Sequence, residues 1–242
     1  MPGNQGYLRA TRHPWPCLLF LLPLLVTYEV GLVWLGGTDP ALLRNGADTW
    51  LHWIIESFGL KQLYWTPLLL AAWFLVWSIV RRSDRPQDGV ATCIGMAVES
   101  MGFALALVAI SRSFGPYLRQ FGITAVNGAG SPDQVARAIT FVGAGIYEEV
   151  LFRLVLFGGL VWLLHEMQLF SALTLAAGAL GLAFLFASAH YAGPYGEPFS
   201  APTFLFRALA GLYFTALFQW RGFGIAMGTH AFYDVLAGIV MR

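Results

Sequence analysis

The chain has 242 residues, of which 57% are hydrophobic and 11% charged, with a mean hydropathy of +0.64 and a formal net charge of +1. Soluble domains carry about 25% charged residues, so this balance excludes an ordinary soluble domain and points to an all-α, polytopic membrane helical bundle. The near-neutral charge gives no ground for a nucleic-acid partner, and Cys17 and Cys93, both in apolar stretches without CxxC or finger spacing, make no disulfide framework and read as small core residues.

At the N-terminus, Arg9 and Arg12 precede an apolar run from Leu18 to Val26, as in a signal peptide. No small-x-small cleavage site follows, and the run continues through Val33, Trp34 and Leu35, so a retained first helix is expected. Stretches of about 20 apolar residues are candidates to span a membrane. They predict helices near 17–37, 64–81, 90–111, 138–164, 169–190, 201–219 and 222–241, about seven transmembrane helices, or eight if one more is counted. Between the first two, 38–63 mixes Trp50, Trp53, Ile54 and Phe58 with polar residues and reads as an interfacial helix. The stretch 112–136, with Asn127-Gly128-Ala129-Gly130-Ser131-Pro132, reads as a flexible break, and Gly193 to Pro198 as a turn-rich connector.

This threading places Arg9, Arg12, Arg81, Arg82, Arg85 and Arg221 on one side of the membrane. Arg44, Lys61, Arg112, Arg119 and Arg242 fall on the other, with Arg137 at the border. Basic density is higher in the first set, which puts the N-terminus in the cytoplasm.

Three clusters break the apolar helices of the second half. In Tyr147-Glu148-Glu149-Val150-Leu151-Phe152-Arg153, Glu149 and Arg153 are four apart and share a helix face, where an ion pair offsets their burial. Glu148 points about 100° away and lacks a local partner, which marks it as the reactive carboxylate. The second cluster is Phe186-Ala187-Ser188-Ala189-His190, where Phe186 reads as packing and the small residues admit a close neighbouring helix. The third is His230-Ala231-Phe232-Tyr233-Asp234, where a carboxylate four residues away is placed to fix the imidazole tautomer. Gly222, Gly224 and Gly228 thin the helix ahead of it, as a tight interface or a substrate approach requires. The alternative to a shared site is that each cluster only glues helices together. Glu29, Glu99 and Arg207 are further ionisable residues in apolar surroundings; Glu29 and Glu99 are expected to pair with Arg207 or to face a cavity.

Depth is compatible with one site. Glu148 lies about 27 Å before the turn at 165–168 and His190 about 35 Å after it, while His230 lies about 12 Å from the turn at 220–222, so tilt or a kink is needed to level them.

In this order, the three motifs resemble the CAAX-protease and bacteriocin-processing family of intramembrane proteases, marked by Glu-Glu-x-x-x-Arg, Phe-x-x-x-His and His-x-x-x-Asn or Asp. The resemblance covers about residues 140–240. It implies an intramembrane endopeptidase, with residues 1–135 as N-terminal helices and loops and 136–242 as the catalytic core of one integrated bundle. By that resemblance Glu148 and His190 activate water, Glu149 and Arg153 brace the site with Phe186, and His230 and Asp234 stabilise the oxyanion or orient the substrate. Asp234, unlike asparagine, donates no hydrogen bond unless protonated. Two histidines and a glutamate are also a zinc-type set; lacking His-Glu-x-x-His, the expected mechanism needs no cofactor, with zinc as the alternative. The expected partners are the bilayer and a membrane-anchored or lipidated protein or peptide cleaved near its C-terminus. The expected location is a bacterial-type inner membrane. A proton-relaying transporter and a non-catalytic adaptor or immunity protein remain the other readings.

Overall fold

A computed structural model describes residues 4–36, 43–62, 64–119, 134–193 and 196–240. The described chain is helical, with no strand among the described residues. In order, the helices are α1 (Asn4–Ala10), α2 (Pro14–Gly36), α3 (Gly46–Ser57), α4 (Trp65–Val80), α5 (Gly89–Arg119), α6 (Gln134–Glu149), α7 (Gly158–Glu166), α8 (Ala172–Ala189), α9 (Ala201–Arg221) and α10 (Phe223–Val235). A π-helical stretch, Val150–Phe157, joins α6 to α7 without a break, and a second one, Leu236–Val240, extends α10.

Each of the seven expected apolar stretches contains a helix, with α8 starting at Ala172 and α10 at Phe223. Five are long and apolar enough to cross a membrane: Pro14–Gly36, Gly89–Pro116, Ala172–Ala189, Ala201–Arg221 and Phe223–Val240. Trp65–Val80 is a shorter apolar helix of 16 residues. The expected 138–164 helix is the composite rod α6–π–α7. Large apolar side chains such as Val30, Trp34, Trp73, Val98 and Trp220 point outward. Exposed apolar area on that scale marks a surface facing lipid rather than water, and the chain is a multi-pass integral membrane protein. The expected break at 112–136 is helical at 112–119 and 134–136; its residues 120–133, and residues 194–195 of the connector, lie outside the described residues.

Helix ends follow from local chemistry. The Asn45 side chain caps α3 by accepting the Asp48 N–H at 2.9 Å. Ser171 and Thr174 form a reciprocal capping box at the start of α8. The turn between α9 and α10 is a single residue, Gly222, at φ 95°, a left-handed conformation suited to glycine.

The core forms where α2, α5, α6 and α10 meet. Leu21, Tyr28 and Leu32 of α2 are fully buried there. Glycines allow the close approaches. A Cβ on Gly145 of α6 would stand 2.6 Å from the backbone nitrogen of Ala231 in α10. Gly224 faces Met96 and Cys17, and Gly228 faces Phe20 and Ser100, so these two serve a helix interface rather than a substrate approach.

Polar contacts hold the two ends. At one end, Thr11 and Arg12 hydrogen-bond carbonyls at the end of α9, His13 meets the Arg81 carbonyl at 3.0 Å, and Arg85 stacks on Trp15. Arg9, Arg12, Arg81 and Arg85 therefore share one end with Arg221, as the threading expects. At the other end, Arg44 pairs with Glu29 at 2.9 Å and Asp48 at 2.5 Å, Tyr28 donates to Asp48 at 2.9 Å, and Tyr147 donates to Glu29 at 2.9 Å. This network ties α3 to α2 and α6. Burial pushes the Asp48 carboxyl above the usual carboxylate range, against the pull of Arg44.

The expected partners of Glu29 and Glu99 need correction. Glu29 pairs with Arg44, and Glu99 with Arg221 and Tyr7. Arg207 pairs instead with Glu197 at 2.9 Å. Each glutamate takes the cation that its own end of the bundle supplies.

Candidate active site

Glu148 and Glu149 close α6, just ahead of the π-helical stretch. Glu149 is fully buried and lies 2.9 Å from Nη1 of Arg153, which is 1% exposed. The ion pair expected from the i,i+4 spacing is present, although its angle falls outside hydrogen-bond geometry. Arg153 also donates from Nη2 to the Gly211 carbonyl at 3.2 Å and lies over the Phe186 ring at 4.5 Å.

The three motifs converge. Glu148 Oε2 faces Nε2 of His190 at 3.8 Å and Nε2 of His230 at 3.7 Å. That oxygen is buried and accepts no hydrogen bond from protein. Each imidazole is oriented from behind. His190 Nδ1 lies 2.9 Å from the Phe186 carbonyl, and His230 Nδ1 lies 2.7 Å from Glu149 Oε1. A carbonyl and a carboxylate only accept, so each Nδ1 carries its proton and each Nε2 faces Glu148.

The group that fixes the His230 tautomer is therefore Glu149, not Asp234. Asp234 Oδ2 stands 3.5 Å from Nε2, on the same side as Glu148. Sequence spacing favoured the residue four positions away, but the close α6–α10 approach at Gly145 brings in a carboxylate from another helix.

Depth also resolves. The turn residues 167–171 are not helical, so His190 lies about 27 Å along α8 from Ala172, level with Glu148. The α9–α10 turn is set inward, with Arg221 buried and Gly222 against Arg12, which raises His230 to the same layer.

Phe186 packs edge-on to Phe152 and His190 and is 3% exposed, as its packing role predicts. Phe214 of α9 stacks on His230, with centroids 4.4 Å apart and planes 14° off parallel. Nothing in the sequence singled it out, since one phenylalanine among many on an apolar helix carries no local signal.

Two cavities meet at Glu148 and His190. The smaller, about 140 Å³, lies under α3 and is lined by Trp50, Trp53 and Phe152. The larger, about 480 Å³, lies between α6, α9 and α10 and is lined by His230, Asp234, Tyr233 and Arg207. The amphipathic α3 is therefore a wall of the site. A part-buried carboxylate beside two oriented imidazoles, open to a cavity on each side, can hold and deprotonate a water next to an extended peptide.

Comparison with known proteins agrees with the motifs. Residues 134–236 match the family described as type II CAAX prenyl endopeptidase Rce1-like. No curated protein and no solved structure gives a significant match. The matched segment runs from the start of α6 into the end of α10 and contains every residue of the three motifs. Over this segment the chain is similar to the type II CAAX prenyl endopeptidase Rce1-like family.

Proposed function

We propose that the protein is an intramembrane endopeptidase that cleaves a membrane-anchored or lipidated protein near its C-terminus with a glutamate-activated water. The observation that carries this reading is Glu148 Oε2, a buried carboxylate oxygen without a protein hydrogen bond, faced by two Nε2 atoms at 3.7 and 3.8 Å. These separations exceed a direct hydrogen bond and suit a bridging water.

In the proposed reaction, Glu148 takes a proton from that water, helped by His190 Nε2, as the water oxygen attacks the scissile carbonyl carbon. The carbonyl π electrons move to oxygen. His230, as an imidazolium oriented by Glu149, donates from Nε2 to the resulting oxyanion, with Asp234 3.5 Å from the same nitrogen to stabilise its charge. The carbonyl re-forms, the C–N bond breaks, and the proton on Glu148 passes to the leaving amine. Base and oxyanion donor stand 3.7 Å apart, close enough for one carbonyl group to meet both. Arg153, Glu149, Phe186 and Phe214 hold these groups in register.

Two imidazoles and a carboxylate are also zinc-type donors. Among the described residues, no group of three or more His, Cys, Asp or Glu side chains is arranged to hold a metal ion. We propose the metal-independent course, and a chelator tests it. The catalytic cluster lies at the α3 end, opposite Arg9, Arg12 and Arg81. With the basic end in the cytoplasm of a bacterial-type inner membrane, the site faces outward and takes an exported or membrane-anchored tail.

The experiment is cleavage in liposomes read by mass spectrometry. It compares wild type and Glu148→Gln, with and without chelator, on a prenylated C-terminal peptide and on transmembrane-tail peptides. Cleavage lost in Glu148→Gln and kept with chelator is expected. Cleavage lost with chelator and restored by zinc overturns the metal-independent course, and cleavage by Glu148→Gln at the wild-type rate overturns the role of Glu148.

A further inference from the structure

Arg207 of α9 faces the larger cavity, which it shares with Glu148, His190, His230 and Asp234. Among the described residues lining that cavity, it is the only arginine or lysine. Its guanidinium is half used. Nη2 donates to both oxygens of Glu197, at 2.9 and 3.0 Å, whereas Nη1 is buried and hydrogen-bonds no protein atom. The fork is braced on the ring of Tyr191 at 5.6 Å, and the Tyr191 hydroxyl is tied to the Ser200 carbonyl at 3.2 Å. A rigid fork with one free arm matches a carboxylate that takes both arms in parallel. Glu197 reaches it end-on, and its side chain is 55% exposed. An ion pair to a solvent-exposed carboxylate is weak and exchangeable.

We propose that Arg207 reads a carboxylate on the substrate, and that Glu197 occupies the guanidinium until that carboxylate displaces it. The inference rests on the proteolytic reading above and deepens it: the peptide segment in the larger cavity carries a negative charge, either a free C-terminus or an acidic side chain. Glu197 lines both cavities, so its release clears the passage from one to the other. The bland reading, that the pair only tacks the α8–α9 connector to α9, predicts no dependence on substrate charge.

The test uses full-length protein in liposomes and a cleavable peptide in three forms: free acid, C-terminal amide, and amide with glutamate as its last residue. Wild type should show a KM about ten- to a hundredfold lower for the free acid than for the amide, the span of one charged hydrogen-bond pair. If the third form recovers the low KM, the carboxylate is a side chain; if not, it is the C-terminus. Arg207→Gln should collapse the acid-to-amide ratio towards one, with Arg207→Lys in between. Glu197→Gln should lower KM for the acid by a larger factor than for the amide and so widen the acid-to-amide ratio. Equal KM for all three forms with wild type overturns the proposal while leaving proteolysis standing. So does an undiminished acid-to-amide ratio in Arg207→Gln. Cleavage of none of the forms by wild type overturns the proteolytic reading itself and the inference with it.

Discussion

Gly145→Ala tests whether the α6–α10 contact sets the catalytic geometry. A Cβ there would meet Ala231 at 2.6 Å from its nitrogen and 2.7 Å from its Cα and Cβ. Ordinary carbon contacts are about 3.5–4.0 Å, so the two helices must separate by about 1 Å. Both obstructing atoms nearest the new methyl are backbone, so rotamer change does not relieve the clash. Gly145 is one turn before Glu149, and Ala231 follows His230. A 1 Å separation takes the 2.7 Å Glu149–His230 hydrogen bond out to about 3.7 Å, beyond hydrogen-bond range. A misplacement of that size at a catalytic group costs about 10²-fold in rate. The stability effect is smaller: overpacking costs about 1–3 kcal/mol, and replacing a helical glycine by alanine returns up to about 1 kcal/mol. The assay is peptide cleavage in liposomes beside thermal unfolding in detergent. The control is Gly159→Ala, where a Cβ meets nothing within 4 Å. The expected result is a rate loss near a hundredfold in a protein that still melts cooperatively, with the control unchanged. A Gly145→Ala protein that cleaves at the wild-type rate refutes the reasoning.

Glu148→Gln should lower the cleavage rate by about 10²–10⁴-fold, the range of general acid–base contributions, with the melting curve kept; single-turnover kinetics would show it. Glu149→Ala strands the guanidinium of Arg153, so it should destabilise the fold by about 3–5 kcal/mol, read by denaturant unfolding in detergent; a loss under 1 kcal/mol would contradict the pairing. Phe214→Leu removes the ring stacked on His230 and should lower kcat more than it raises KM, since the lost stacking loosens the imidazole while leucine still fills that wall of the cavity; steady-state kinetics separates the two. Ser57 and Ser83 are exposed at opposite ends of the bundle. With Cys17 and Cys93 replaced, Ser57→Cys should react with a membrane-impermeant thiol reagent in intact cells and Ser83→Cys should not; the reverse pattern inverts the topology.

Helices were legible because apolar runs at membrane length declare themselves in composition. The Glu149–Arg153 pair was legible because it lies within one helix face. What was not legible lies between helices. Asp234 looked like the partner of His230 because it is near in sequence, yet the hydrogen bond comes from Glu149, 81 positions away. The cations for Glu29 and Glu99 also come from other elements, Arg44 and Arg221, and hydropathy carries no pairing information. The π-helical turn Val150–Phe157 has no glycine or proline to announce it. The role of α3 as a wall rests on Arg44, whose two carboxylate partners lie on separate helices.

An open oxygen alone does not separate a site from helix glue, since Asp48 Oδ1 and Glu149 Oε2 are also buried and unbonded. Glu148 differs in having its open oxygen between two imidazoles and beside two cavities. Glu99 bridges helices, and both its oxygens are bonded: Oε1 by Arg221, and Oε2 by Arg221 and Tyr7. Glu29 is likewise bonded on both oxygens, by Arg44 and Tyr147. A charged group kept only to join helices in lipid gains from every partner it finds, because each open valence costs free energy there. Glu148 is placed the other way. Its Oε2 is buried and open, flanked by imidazoles whose rear nitrogens are already tied down, at the meeting of two cavities. An adaptor has no use for that arrangement, since substituting glutamine at 148 would leave its packing intact and remove an open charge. A hydrolase needs the open carboxylate, because the water it activates has to displace nothing to bind.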